Sequence, residues 1–258
     1  MQFTPKIPEQ TADISIGKRS WKEQVETAVM VLLFLAAVWW LTGLLGTFVG
    51  ARIPDSWERK LSGAGGLMSE GGETGTLDRA QVILDKLLEG ESIRKLDYRL
   101  MVMDADGANA FAIPGGWIAV TTGLLSAVSS EEGLAFVLAH EVGHHQYRHM
   151  TRRLGRTLLQ GLILGVMFGQ QDAMGLTDSA VRLAEAGYSR DDEREADDFA
   201  LRLVHRKYGS TDAALEFFRY VTTNEEEHLW QSFAGSHPPT KERIDDLMKL
   251  QQELMTPD

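Results

Sequence analysis

The chain has no cysteine among its 258 residues. That excludes disulfides and any thiolate-ligated metal site, and it removes cysteine usage as a clue to compartment. Positive charge is also in short supply. There are 26 Lys and Arg against 37 Asp and Glu, a formal net charge of −11, and no basic stripe stands out. Nucleic acid is therefore not an expected partner. No repeat of about 34 residues appears, so a helical-repeat scaffold is not expected. The length suits one sizeable domain plus an appendage.

Histidine is scarce too, with seven in all, yet the stretch His140-Glu141-Val142-Gly143-His144 concentrates it. In a helix, positions i and i+4 share a face, so the two imidazoles can aim at one point with Glu141 beside them. Two neutral His nitrogens holding Zn²⁺, one per chain, with a Glu to take the proton of the attacking water, is the pattern of a zinc hydrolase. The alternative is a chance match on a solvated helix. Against it, Leu134, Leu138 and Val142 form an apolar stripe at i, i+4 and i+8, and a buried helix must supply partners for its imidazoles. Ser129 and Glu132 are spaced as a capping box at its start.

The chain opens with a polar tail, 1–26, and then runs without charge from Thr27 to Gly50. As a helix that run spans a bilayer. A cleaved signal peptide and a buried soluble helix are the alternatives, but the run is long for the first and the polar lead too long for an n-region. Lys6, Lys18, Arg19 and Lys22 precede it, and Arg52, Arg59 and Lys60 follow it. This balance slightly favours a catalytic domain on the extracytoplasmic side, the periplasmic side of a bacterial inner membrane. Residues 51–76 read as a juxtamembrane segment and Gly-rich linker, and 77–258 as the catalytic domain. That domain begins with a helix carrying Ala80, Ile83, Leu84, Leu87 and Leu88 on one face and ended by Gly90. Three strands follow, around 98–103, 110–113 and 117–121, making a small antiparallel sheet. Phe111, Ala112 and Ile113 then form an edge on which a peptide could add as a strand; the alternative is that these strands are only core. Residues 155–168 are apolar and Gly-rich, too short for a span. They read as a core helix, with a helix dipping into the membrane surface as the alternative. His145 and His149 are also four apart, but on the wheel they point away from His140 and His144 and read as non-ligands, with His149 packing or hydrogen-bonding inside.

A catalytic zinc needs a third protein ligand. In the acidic stretch 188–200, Glu193, Ala196, Asp197 and Ala200 share a helical face while Glu195 points elsewhere. The small residues on that face favour Glu193 over Glu195 as ligand, and Asp197 then orients a ligand His through its second nitrogen.

Four blocks now resemble the M48 family of zinc metallopeptidases: Asn109 to Gly116, His140 to His149, Ser189 to Asp197, and Ser236-His237-Pro238-Pro239-Thr240 with Arg243. The resemblance implies a mostly helical α+β, zincin-like peptidase domain, with His140, His144 and Glu193 as zinc ligands and Glu141 as catalytic base. It implies that His237 faces the metal, either stabilising the oxyanion or, as in one branch of the family, occupying the open position and holding the enzyme latent. It implies that Arg243 pairs with acids of the 191–198 helix, and that the substrates are unfolded or misfolded proteins and peptides at a membrane. The chain departs from multi-span members in having one confident span, so an intramembrane chamber is not expected. The alternative is a latent peptidase acting mainly as a chaperone or assembly factor.

Overall fold

The computed structural model describes residues 20–63, 74–168, 187–224 and 227–256. Most of the expected polar tail and the middle of the Gly-rich linker lie outside them. The chain divides into two units, Met1–Leu41 and Thr42–Asp258.

The first unit contributes most of helix α1, Trp21–Gly50. Ser20 starts it by a reciprocal cap: Glu23 N–H donates to Ser20 Oγ at 3.3 Å and Ser20 N–H donates to the Glu23 carboxylate at 3.0 Å. Past Glu26 no charged residue follows until Arg52, and Leu32, Leu33 and Phe34 are about two-thirds exposed. Among the described residues this is the one helix long and apolar enough to cross a membrane.

The second unit is built around α5. After α1 come α2 (Asp55–Gly63) and α3 (Thr74–Leu88), then strands β1 (Arg99–Met103), β2 (Ala110–Ile113) and β3 (Trp117–Thr121). Short α4 (Thr122–Ala127) leads to α5 (Glu131–Gln146) and α6 (His149–Phe168), and the chain closes with α7 (Arg190–Tyr208), α8 (Asp212–Thr223), α9 (His228–Ser236) and α10 (Lys241–Met255). Ala80, Ile83, Leu84 and Leu87 bury the expected face of α3. α2 is docked by charge. Glu58 is buried and accepts from the Arg94 guanidinium at 2.6 Å and the Gly115 N–H at 3.2 Å, and Arg94 also reaches Asp55.

The sheet differs from expectation in one respect. Its order is β1-β3-β2, with β2 antiparallel to β3 but β1 parallel to it. Gly107 and Gly123 lie where the chain leaves β1 and enters α4; a Cβ on Gly123 would fall 2.1 Å from the Asp106 carbonyl oxygen. β2 is thus at an edge, with all four of its residues buried.

α5 is buried continuously from Gly133 to His145, not on one stripe alone. Its cap is Ser130 and not Ser129: Ser130 Oγ accepts from the Gly133 N–H at 3.1 Å, and Gly133 leaves room, since a Cβ there would fall 2.5 Å from that oxygen. α7 carries a full capping box, Ser189 with Asp192, and ends at Gly209 in the left-handed region. α6 is the exception to a helical core. Among the described side chains Leu154 is its last buried one and none is buried between Gly155 and Gly165, so the helix forms there but not as the expected core helix.

Candidate metal centre

Two helices and one loop bring the site together. α5 and α7 approach closely because Gly143 faces Ala196; a Cβ on Gly143 would lie 3.0 Å from the Ala196 Cα. Glu193, one turn before Ala196, is thereby set against His140 and His144. The loop after α9 supplies His237. One donor atom from each of His140, His144, Glu193 and His237 lies within 4.8 Å of the others, and all four residues are buried. The sequence singled out His140, His144 and Glu193 as ligands and His237 as facing them, and these four stand together in this group. Glu195 is not in it.

The spacing is that of ligands around one ion. His140 Nε2 is 3.1 Å from His144 Nε2 and 3.2 Å from His237 Nδ1. Glu193 oxygens lie 3.4 Å from His140 Nε2, 3.5 Å from His144 Nε2 and 3.2 Å from His237 Nδ1. Donors held about 2.0–2.1 Å from a tetrahedral Zn²⁺ would be roughly 3.4 Å apart.

Proton placement decides what this crowd needs. The Arg243 fork donates to both oxygens of Asp197, at 2.7 and 2.8 Å, and holds that carboxyl ionised below the usual range against the effect of burial. Asp197 Oδ1 is 3.0 Å from His140 Nδ1, and an anion there favours the tautomer with the proton on Nδ1 and a lone pair on Nε2. His237 Nε2 donates to the Ala110 carbonyl at 3.1 Å, leaving its Nδ1 as a lone pair. His149 Nε2 sits 2.9 Å from Glu195 and 3.4 Å from Asp192 and donates there. Its Nδ1 therefore accepts from His144 Nδ1, 2.8 Å away, and His144 Nε2 is a lone pair too. Three lone pairs and a carboxylate converge, an arrangement that calls for a cation. The field agrees. Burial alone would lower His140, but Asp197 and Glu193 raise it to about 10: the same negative surroundings that hold a proton on this ring in the absence of metal would hold a cation in its place.

Glu141 is fully buried, and neither carboxylate oxygen has a hydrogen-bond partner among the described residues. Burial raises its pKa, opposed by His237 and His140. His237 Nε2 is 3.4 Å from it. The edge of β2 borders the same space. Asn109 and Thr121 exchange bonds across the β2–β3 pairing, so by the alternation of antiparallel ladders Ala110 and Ala112 turn their amides outward, toward His237 and Glu141.

Residues 77–251 match Peptidase family M48. The chain belongs to that family. It is 29% identical to the mitochondrial metalloendopeptidase OMA1 of Schizosaccharomyces pombe over 63% of this chain and 49% of that protein. It is 29% identical to the metalloprotease YcaL of Escherichia coli over 60% of this chain and 62% of that protein. A bovine mitochondrial OMA1 matches at 27% over 60% of this chain and 33% of its own length. The chain thus spans at most about three-fifths of these relatives.

This M48 site contains residues that the sequence reading did not place in it. His149 was expected to face away from His144. The wheel fails because α5 ends at Gln146 and Arg148 takes φ 60°, folding α6 back so that His149 meets His144. Tyr188 stacks on the His144 ring at 3.6 Å, nearly parallel. An aromatic residue just before the acidic helix was the only sign of it. His145 stays apart, donating through Nε2 to the Trp117 carbonyl at 3.0 Å, with burial lowering its pKa to about 4. Arg243 also reaches Glu193 at 2.7 Å, the pairing expected of it.

Proposed function

We propose that this M48 member is a membrane-anchored, zinc-dependent endopeptidase that holds one Zn²⁺ per chain and hydrolyses peptide bonds in unfolded or misfolded proteins, in the service of protein quality control. The observation that carries the reading is the convergence of three imidazole lone pairs and one carboxylate beside an unpartnered, buried Glu141. His140, His144 and Glu193 would hold the metal, with Asp197 fixing the His140 ring from behind. When bound, the zinc ion supplies Lewis acidity, polarising the scissile carbonyl and bringing the pKa of a water down toward ~7. Glu141 takes the proton of the attacking water and passes it to the leaving amine. The outward amide of Ala112, on the strand with Phe111 and Ile113, offers a substrate strand a main-chain partner.

Its relatives, metalloendopeptidases and a metalloprotease, support the activity. The tether is supported by the length and apolarity of α1. The charges flanking α1 favour an extracytoplasmic catalytic domain, whereas Arg152, Arg153 and Arg156 at the start of α6 add positive charge on the catalytic side. Reporter fusions at the two termini decide the side.

A second reading, a latent peptidase acting mainly by binding, is favoured by one observation. His237 is fully buried, faces the other donors through Nδ1 and takes the Ala110 carbonyl through Nε2, so it stands where both water and substrate backbone would come. Purified Glu141→Gln separates the main reading from its failure. It should retain about one zinc per chain by elemental analysis while casein cleavage falls by at least about a thousandfold; equal cleavage by mutant and wild type removes Glu141 from the role given it. If Glu141→Gln still complements a deletion in cells, the binding reading takes over.

A further inference from the structure

The closing turns of α1 bury Gly43, Gly46 and Gly50 against the early turns of α6. A Cβ on Gly50 would lie 2.1 Å from the Thr151 carbonyl oxygen, one on Gly46 2.6 Å from the Arg156 Cα, and one on Gly43 3.2 Å from the Gln160 side chain. As the α1 number falls, the α6 number rises, so the two helices run antiparallel. The glycines let the backbones touch, as small residues do between helices in membranes. From Gly155 onward α6 turns away from the protein core. Leu158, Leu162 and Leu164 are 39%, 64% and 40% exposed, and the sequence carries no charge from Thr157 to Phe168. The charges instead gather at its start, at Arg152, Arg153 and Arg156. Nearby in sequence to the end of α1, Trp57 on α2 is 66% exposed, beside Arg59 and Lys60.

We infer that α6 is a second membrane-embedded element: its half beyond Arg156 lies in the hydrocarbon against the closing turns of α1. The inference rests on the reading of α1 as a membrane span. The occupant of the exposed leucine face is lipid, because whatever packs along the closing turns of a span lies at membrane depth. An apolar helical face with arginines at one end is matched to acyl chains below and anionic headgroups above. From Thr151 to Phe168 the helix rises about 26 Å at ~1.5 Å per residue, short of the ~30 Å hydrocarbon thickness. It therefore enters the bilayer without crossing it, its backbone largely satisfied within the helix. Because His149 opens α6 and contacts His144, the embedded helix begins at the metal centre, and the site is held close to the membrane surface.

The absence of cysteine makes the test direct, since single Cys variants of the full chain need no background removal. Leu162→Cys and Leu158→Cys are labelled with an environment-sensitive fluorophore and reconstituted in vesicles of phosphatidylcholine and phosphatidylglycerol, beside Leu33→Cys in α1 and Val82→Cys on α3. Quenching by lipids spin-labelled on the acyl chain is the readout. Labels at 158 and 162 should be quenched to within about twofold of that at 33, and several-fold more than that at 82. If 158 and 162 behave like 82 while 33 is quenched, the anchor stands and this inference is overturned. If 33 also behaves like 82, the anchor reading itself falls, and the inference with it.

Discussion

His149 Nδ1 lies 2.8 Å from His144 Nδ1, and on its far side His149 Nε2 lies 2.9 Å from Glu195. The three groups form a chain from the metal centre to the half-exposed Glu195 carboxylate. It fixes the His144 tautomer, and the negative charge at its end makes the His144 ring a better donor to a metal.

His149→Ala removes the acceptor for a buried N–H. Zinc affinity, measured by competition with a chelator, should drop by roughly 10–100-fold, while Glu195→Gln should drop it by less. Unchanged affinity in His149→Ala would mean that Tyr188 stacking alone orients the ring.

Gly143→Ala tests the approach of α5 and α7. The added methyl would sit 3.0 Å from the Ala196 Cα, so the helices must separate by a few tenths of an ångström. Overpacking of this kind costs about 1–3 kcal/mol, to be read by urea denaturation, and zinc affinity should fall with it. Unchanged stability and zinc affinity in Gly143→Ala would show that α7 gives way to the added methyl without loss.

Glu58 ties α2 to the catalytic body through Arg94, and both are buried, with side-chain exposures of 1% and 10%. Removing one partner of a buried pair costs about 3–5 kcal/mol. Glu58→Ala should show that loss in denaturant. A fragment of 77–258 should be less stable than one of 51–258 by a similar amount; equal stabilities would mean that water replaces Glu58 without loss.

Asp55 gives a pH-dependent term. Burial raises its pKa, but Arg94 and Arg148 overcome that and hold it below 3.8. A depressed folded pKa adds stability above the unfolded value, and that stability is lost as pH falls through the folded value. The stability gap between wild type and Asp55→Asn should therefore be constant above about pH 5 and close below about pH 4. A gap that does not narrow at all as pH falls below about 4 would make it a packing effect.

Much of the site was legible because its chemistry forces residue type and spacing together. His140, Glu141 and His144 follow from helical geometry, and Glu193 from the small residues that share its face. The β-strand segments were legible as local runs, but the parallel pairing of β1 with β3 was not, because nothing local tells a strand which neighbour it will find across a turn. His149 was misplaced because a wheel assumes an unbroken helix, and Arg148 breaks it. The cap of α5 slipped by one residue for a similar reason: Ser129 and Ser130 are equivalent in sequence until Gly133 makes room for one of them. The exposed face of α6 was legible as apolarity, but burial against protein and burial against lipid leave the same composition.

Arg243 stands on the last helix, yet it is the cation that neutralises Glu193 and Asp197 together. Until α10 is synthesised and docked, those two acids face each other without a counter-charge, and His237 is absent as well. A nascent chain therefore carries the full His140-to-His144 signature long before it can bind metal in a working geometry. The order of synthesis thus places the last donor and the counter-charge of the site after its first ligands.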